Sequence, residues 1–219
     1  MCGIVGYVGS KNGIDIVLAG LKRLEYRGYD SSGLCYFNSN KLHVTKKQGK
    51  VIDLEELLDE SSVKNIVMGH TRWATHGKPN DNNAHPHISM NKKLAIVHNG
   101  IIENYDSLKE GLIQRGYKFN SDTDTEVLVN LIEYIKDDLN VTLIEALQQT
   151  LTQVIGAYSI AVMCIDEPEN IILAKKGSPL VIGVGKEEYF IASDPAPFLK
   201  YTKRAIYLDD GEIAEISKN

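Results

Sequence analysis

The sequence is poor in cysteine, proline and tryptophan, with three, six and one of each in 219 residues. Cys2, Cys35 and Cys164 show no metal-ligand spacing and cannot all pair with one another, so neither a disulfide-stapled domain nor a zinc ribbon is indicated. Cys35 and Cys164 lie in strand-like apolar runs and read as buried, inert thiols, which points to a reducing, cytoplasmic compartment. No apolar run approaches membrane-spanning length, and the first residues lack the basic-then-apolar pattern of a secretory leader. A basic stripe is also missing. Lys and Arg are scattered and the net charge is −5, which argues against a nucleic-acid partner. Without repeats, linkers or low-complexity stretches, residues 1–219 read as one domain.

What is present begins at the second residue. Cys2 has a small side chain directly behind Met1, so methionine excision would expose a free α-amine on a thiol-bearing residue. A thiol has a reference pKa near ~8.5 and an α-amine near ~7.7–8.0, so the amine can take the thiol proton and generate a nucleophilic thiolate. The bland alternative is that any second residue can be cysteine. Met1-Cys2 alone does not decide between them.

Periodicity organises the rest. A first strand over 3–9 is followed by a helix over 15–25, whose Ile14, Val17, Leu18, Leu21 and Leu24 form one apolar stripe. The stretch Tyr26-Arg27-Gly28-Tyr29-Asp30-Ser31-Ser32-Gly33 reads as a polar loop, either a plain turn or a functional one. Strands over 34–38 and 41–47 form a hairpin, a short helix covers 53–59, and a strand covers 65–70. Residues 71–91 form the longest stretch without hydrophobic periodicity and read as a binding loop or lid. A strand over 93–97 leads into His98-Asn99-Gly100. Helices follow over 106–115, after Thr123-Asp124-Thr125-Glu126 and after Thr142-Leu143-Ile144-Glu145, the last ending near Gly156. Both tetrapeptides have the capping-box pattern. Six strands complete the chain, and helices set between two groups of antiparallel-looking strands indicate an α+β layered fold.

Five of the six histidines (His70, His76, His85, His87, His98) fall in one stretch, but none shows the helical pair spacing of zinc hydrolases, so hydrogen-bonding roles outrank a metal site. Asn99-Gly100 fits a type I′ turn or an oxyanion hole made of an amide side chain and a glycine N–H. Arg72 suits a bidentate grip on a carboxylate. Asp124 either complements a helix dipole or binds an ammonium group. A thiolate, a carboxylate clamp and an ammonium clamp together describe an α-amino acid whose side chain is attacked.

The motifs Cys2-Gly3-Ile4-Val5-Gly6, Tyr26-Arg27-Gly28-Tyr29-Asp30-Ser31, His70-Thr71-Arg72-Trp73-Ala74-Thr75-His76-Gly77, Asn83-Ala84-His85-Pro86-His87, His98-Asn99-Gly100 and Thr123-Asp124-Thr125-Glu126 occur together and in order. The set resembles the class II glutamine amidotransferases. In its Arg-Gly-Tyr-Asp and Arg-Trp-Ala-Thr-His wording it is similar to the glutaminase domain of the glucosamine-6-phosphate synthases rather than to the purine branch. The resemblance covers essentially the whole chain.

It implies the four-layer αββα sandwich of N-terminal-nucleophile hydrolases and the hydrolysis of L-glutamine to glutamate and ammonia through a thioester, with no cofactor. Cys2 would be the nucleophile and its amine the base, Asn99 and Gly100 would hold the oxyanion, and Arg27 would support the nucleophile. Arg72 would bind the substrate carboxylate and Asp124 its amino group, with Trp73, Thr75, His76 and His85 lining or closing the pocket. The sugar-isomerase part that such enzymes use to consume the ammonia is not matched here, which leaves either an excised domain or a stand-alone relative. An oligomer would come through that full-length enzyme. Rival readings are an amidophosphoribosyltransferase-type glutaminase, a Cys-first acylase, and a module that binds glutamine without cleaving it.

Overall fold

The protein is described by a computed structural model covering residues 2–58, 64–74 and 77–218. The chain opens with β1 (Gly3–Val8), α1 (Gly13–Leu24), a 3-10 turn (Glu25–Arg27), β2 (Ser31–Asn38), β3 (Lys41–Gln48) and α2 (Val51–Glu55). Next come β4 (Ile66–Arg72), β5 (His87–Ile88), β6 (Leu94–Ile102), α3 (Tyr105–Gln114), α4 (Asp124–Leu139) and α5 (Leu143–Leu151). It closes with β7 (Gly156–Cys164), β8 (Glu167–Lys176), β9 (Val181–Val184), β10 (Tyr189–Ala192), β11 (Ala205–Tyr207) and β12 (Ile213–Ser217).

Two antiparallel sheets result, one ordered β11-β9-β10-β1-β4-β2-β3 and the other β12-β8-β7-β6-β5. Side chains alternate faces along a strand, and here the alternation sorts them between two cores. Ile4, Val8, Cys35 and Met68 of the first sheet pack against Ala95, Val97, Ala161, Met163 and Leu173 of the second. The opposite faces take their neighbours from helices: Val5, Tyr7, Leu34 and Val67 lie under α1 and α2. Ile96, Ile160, Val162 and Ile172 lie under α4 and α5. Helix, sheet, sheet and helix are therefore stacked in four layers, the expected αββα sandwich.

Several expected boundaries move for physical reasons. Ser31, Ser32 and Gly33 belong to β2 rather than to the preceding loop, because they pair with Gln48, Lys47 and Lys46 of β3. His98-Asn99-Gly100 is no turn; it runs through the middle of β6, where Gly100 pairs with Tyr158. α2 starts at Val51, two residues earlier than its apolar pattern suggests, and residues 59–63 lie outside the described set. α5 stops at Leu151, and Gly156 begins β7 instead of ending the helix. The Thr142–Glu145 capping box forms on both sides. At α4 only half of one does. Thr123 accepts from the Glu126 N–H, but the Glu126 carboxylate is drawn to the Asn120 and Ser121 N–H groups.

Leu173 is fully buried in the layer between the sheets. Its replacement by alanine is expected to cost ~2–5 kcal/mol of unfolding free energy, read as a lower urea midpoint at unchanged slope.

Candidate active site

The site is the polar end of the inter-sheet layer. β1 pairs with β4 so that Gly3 faces Thr71 and Ile4 faces His70, which carries Cys2 to the end of the pair beside Arg72 and Trp73. There the Trp73 N–H donates to Cys2 Sγ at 3.2 Å. The Arg27–Asp30 segment holds this corner from outside. The Asp30 carboxylate accepts the Ala74 N–H at 2.8 Å, and the Asp30 N–H donates to the Arg72 carbonyl at 3.0 Å. Gly28 lies so close that a Cβ there would sit 2.7 Å from the Arg72 carbonyl carbon and 2.8 Å from the Trp73 nitrogen. Arg27 itself donates to the Ser193 carbonyl at 3.3 Å and pairs with Asp194 at 3.5 Å.

The second sheet supplies the opposite wall. The Asn99 side-chain amide donates to the Cys2 carbonyl at 3.1 Å. Gly100 follows with φ +129°, and a Cβ there would fall 2.0 Å from the Ala157 carbonyl oxygen, so only glycine fits. Asp124, the first residue of α4, accepts the Ile102 N–H at 2.9 Å through one carboxylate oxygen. These groups enclose a cavity of about 260 Å³ that Cys2, Arg27, Arg72, Trp73, His85, Asn99, Gly100 and Asp124 all line. Every described residue singled out in the sequence for chemistry thus meets in one place. Thr75 and His76 lie outside the described residues. Ser178, Pro179 and Ser193 also line the cavity and carried no sequence signal. They arrive by chain reversal: the Asp210 carboxylate accepts the Gly177 N–H at 2.8 Å, and Ser193 exchanges hydrogen bonds with the Ile4 backbone at 3.0 and 3.1 Å.

Burial pushes the Cys2 thiol above its ordinary value, against the lowering effects of the Trp73 backbone hydrogen bond and the Arg72 guanidinium. Burial also lowers Arg72, while Cys2, Asp30 and Asp124 act to keep it charged. A thiol held in this way needs a base to ionise near neutrality.

The histidines gathered here bond to hydroxyl and amide groups. His85 Nε2 and His98 Nδ1 both meet Thr125 Oγ1, at 2.9 and 3.0 Å, and His87 Nε2 meets Thr123 Oγ1 at 3.0 Å. Among the described residues no group of three His, Cys, Asp or Glu side chains is arranged to hold a metal ion. Trp73 is half-exposed at the cavity mouth, where it meets Tyr29 edge-on at 5.7 Å.

Comparison with known proteins gives consistent results. The family described as a glutamine amidotransferase domain matches residues 70–200. The chain is 54% identical over 220 residues to glutamine–fructose-6-phosphate aminotransferase [isomerizing] of Bacteroides thetaiotaomicron, covering 100% of this chain and 36% of that one. It is 49% identical over 222 residues to the enzyme of the same name from Pyrococcus horikoshii, covering 100% of this chain and 37% of that one. The chain therefore spans little more than a third of the length of these curated relatives. Among solved structures it resembles an allosteric regulatory enzyme of purine biosynthesis, with TM-score 0.86 and 30% identity over 99% of this chain and 47% of that one. It also resembles glutamine phosphoribosylpyrophosphate amidotransferase from B. subtilis, with TM-score 0.80 and 28% identity over 100% of this chain and 49% of that one.

Burial holds His70 down to about 3 and pushes His85 and His87 well below the usual imidazole value. In the unfolded chain such rings take up a proton near pH ~6.5, while the folded protein refuses it. Stability is therefore full above that pH and is expected to fall progressively as the pH drops below it. Urea midpoints measured at pH 7 and pH 5 check this, and equal midpoints would contradict it.

Proposed function

The chain belongs to the glutamine amidotransferase domain family, and from that membership we propose that it cleaves the side-chain amide of L-glutamine with Cys2 as nucleophile. Removal of Met1 frees the Cys2 α-amine, which takes the thiol proton directly or through one water. The thiolate attacks the amide carbonyl carbon, and the oxyanion that forms is met by the Asn99 side-chain N–H and by Gly100. The amine's proton passes to the leaving nitrogen, ammonia departs and a glutamyl thioester remains. Water activated by the same amine then releases glutamate and restores the thiol. Arg72 grips the substrate α-carboxylate and Asp124 its α-ammonium, so selection is for a free α-amino acid. His85 and Trp73 line the pocket, as Thr75 and His76 are expected to do, and Arg27 braces the Ser193–Asp194 corner beside the nucleophile.

The observation that carries this reading is the convergence of a half-buried thiol, an amide donor, a guanidinium and a carboxylate on one cavity, with the Cys2 carbonyl gripped by the Asn99 amide at 3.1 Å. The raised thiol explains why an adjacent base is needed. For the destination of the ammonia, identities of 54% and 49% favour the relatives named for fructose 6-phosphate over the phosphoribosylpyrophosphate enzyme at 28%. We assign residues 1–219 to the glutaminase domain of an amidotransferase of glucosamine 6-phosphate synthesis, in the cytoplasm, with a sugar-isomerase domain as its partner.

With N-terminal trimming verified by mass spectrometry, the protein is expected to release ammonia from glutamine and Cys2→Ala to release none. A glutamine-like electrophile should label Cys2 and spare Cys35 and Cys164. Absence of both turnover and label in trimmed protein would refute the assignment. Arg72→Lys, which exchanges a planar fork for a point charge, is expected to raise KM for glutamine more than it lowers kcat.

A further inference from the structure

His70 has no part in the chemistry proposed above, yet it is the buried side chain in contact with the one that would hold the oxyanion. Its position follows from strand periodicity. Met68 faces the layer between the sheets, so His70 does too, two residues on. Val97 faces the same layer from the second sheet, and Asn99 continues that row. The two rows meet at the polar end of the layer, where His70 Nε2 lies 2.9 Å from Asn99 Oδ1.

The partners fix which atom of the amide points where. The Cys2 carbonyl oxygen, 3.1 Å away, can only accept, so the amide must turn its NH₂ toward Cys2 and its oxygen toward His70. That oxygen in turn requires a proton on His70 Nε2. His70 is 1% exposed, and its ring is stacked on that of His85 with centroids 4.2 Å apart and planes 27° apart, so it cannot swing away. Burial keeps it neutral, and a neutral imidazole has a single N–H, which this bond uses. An amide held at its oxygen by one buried donor, and at its nitrogen by the Cys2 backbone, has its remaining N–H aimed before substrate arrives. Preorganised donors of this kind supply most of their effect in the transition state.

We propose that His70 is the positioning residue for Asn99, locking the amide in the orientation that presents its N–H to the oxyanion. This rests on the glutaminase reading, and the test separates the two. His70→Phe keeps the ring and its stack on His85 but removes the N–H, whereas His70→Gln supplies an N–H on a flexible arm.

In the trimmed protein of residues 2–219, His70→Phe is expected to lower kcat for ammonia release by ~10- to 100-fold with KM for glutamine little changed, and His70→Gln to recover much of that loss. Asn99→Ala alone should lower kcat by ~10²–10³. In the Asn99→Ala background, His70→Phe should cost less than a further ~3-fold, because two residues acting through one contact do not add. A merely structural histidine would lower stability without this coupling. If His70→Phe does not fold, His70→Met replaces it as the variant lacking an N–H, compared with His70→Gln. Wild-type turnover with full, multiplicative losses in the double variant overturns the role of His70 alone, as does unchanged kcat in His70→Phe. No turnover by wild type overturns the glutaminase reading and this inference together.

Discussion

A buried polar site has to be carved from a layer that would otherwise be apolar throughout, and the contact that does so is the Trp73 N–H on Cys2 Sγ at 3.2 Å. It exists because β1 and β4 are antiparallel neighbours whose ends coincide, so a residue just before one strand lies against a residue just after the other. The missing Cβ of Gly28 allows the 27–30 segment to press on the Arg72–Trp73 backbone and keep that coincidence from fraying. Around it the period-2 rows that fill the core change from Ile, Val and Met to Cys, His, Arg and Asn over their last positions. The site is thus the same layer continued with different chemistry, and the sandwich sets its geometry.

The histidines show how such a layer accommodates polar groups. His70 and His85 stack, His85 and His87 meet edge-on, threonine hydroxyls at the start of α4 take a nitrogen each from His85 and His87, and His70 meets the Asn99 amide. Buried imidazoles kept neutral avoid the cost of an unpaired charge and still give or take one directional bond each. They tie the first sheet, the 77–86 segment and α4 into a single unit behind the cavity. That unit also explains the tight placement of Asp124: its Ile102 contact fixes the start of α4 against the end of β6.

Much of this was legible in the residues. The strands expected after the helices are β7 to β12, and ordered motifs gave the cavity lining from Cys2 to Asp124. The errors have physical causes. Asn99-Gly100 carries a turn signature, yet the positive φ of Gly100 serves a close approach to the Ala157 carbonyl inside a strand, which only the partner strand reveals. The capping pattern at Thr123 hid a second use of Glu126, whose carboxylate gathers the N–H groups of residues 120 and 121. Ser178, Pro179 and Ser193 border the cavity through chain reversals more than 170 residues from Cys2, a distance at which no local pattern speaks.

The strand that carries Cys2 occupies the fourth place of seven in its sheet, with partners on both sides, rather than an edge. Amides in such a strand exchange with solvent deuterium only when the sheet itself opens, whereas segments outside the sheets open far more readily. The sulfur is thereby anchored to the slowest-breathing part of the molecule, and the motions that admit and release small molecules fall to the walls around it.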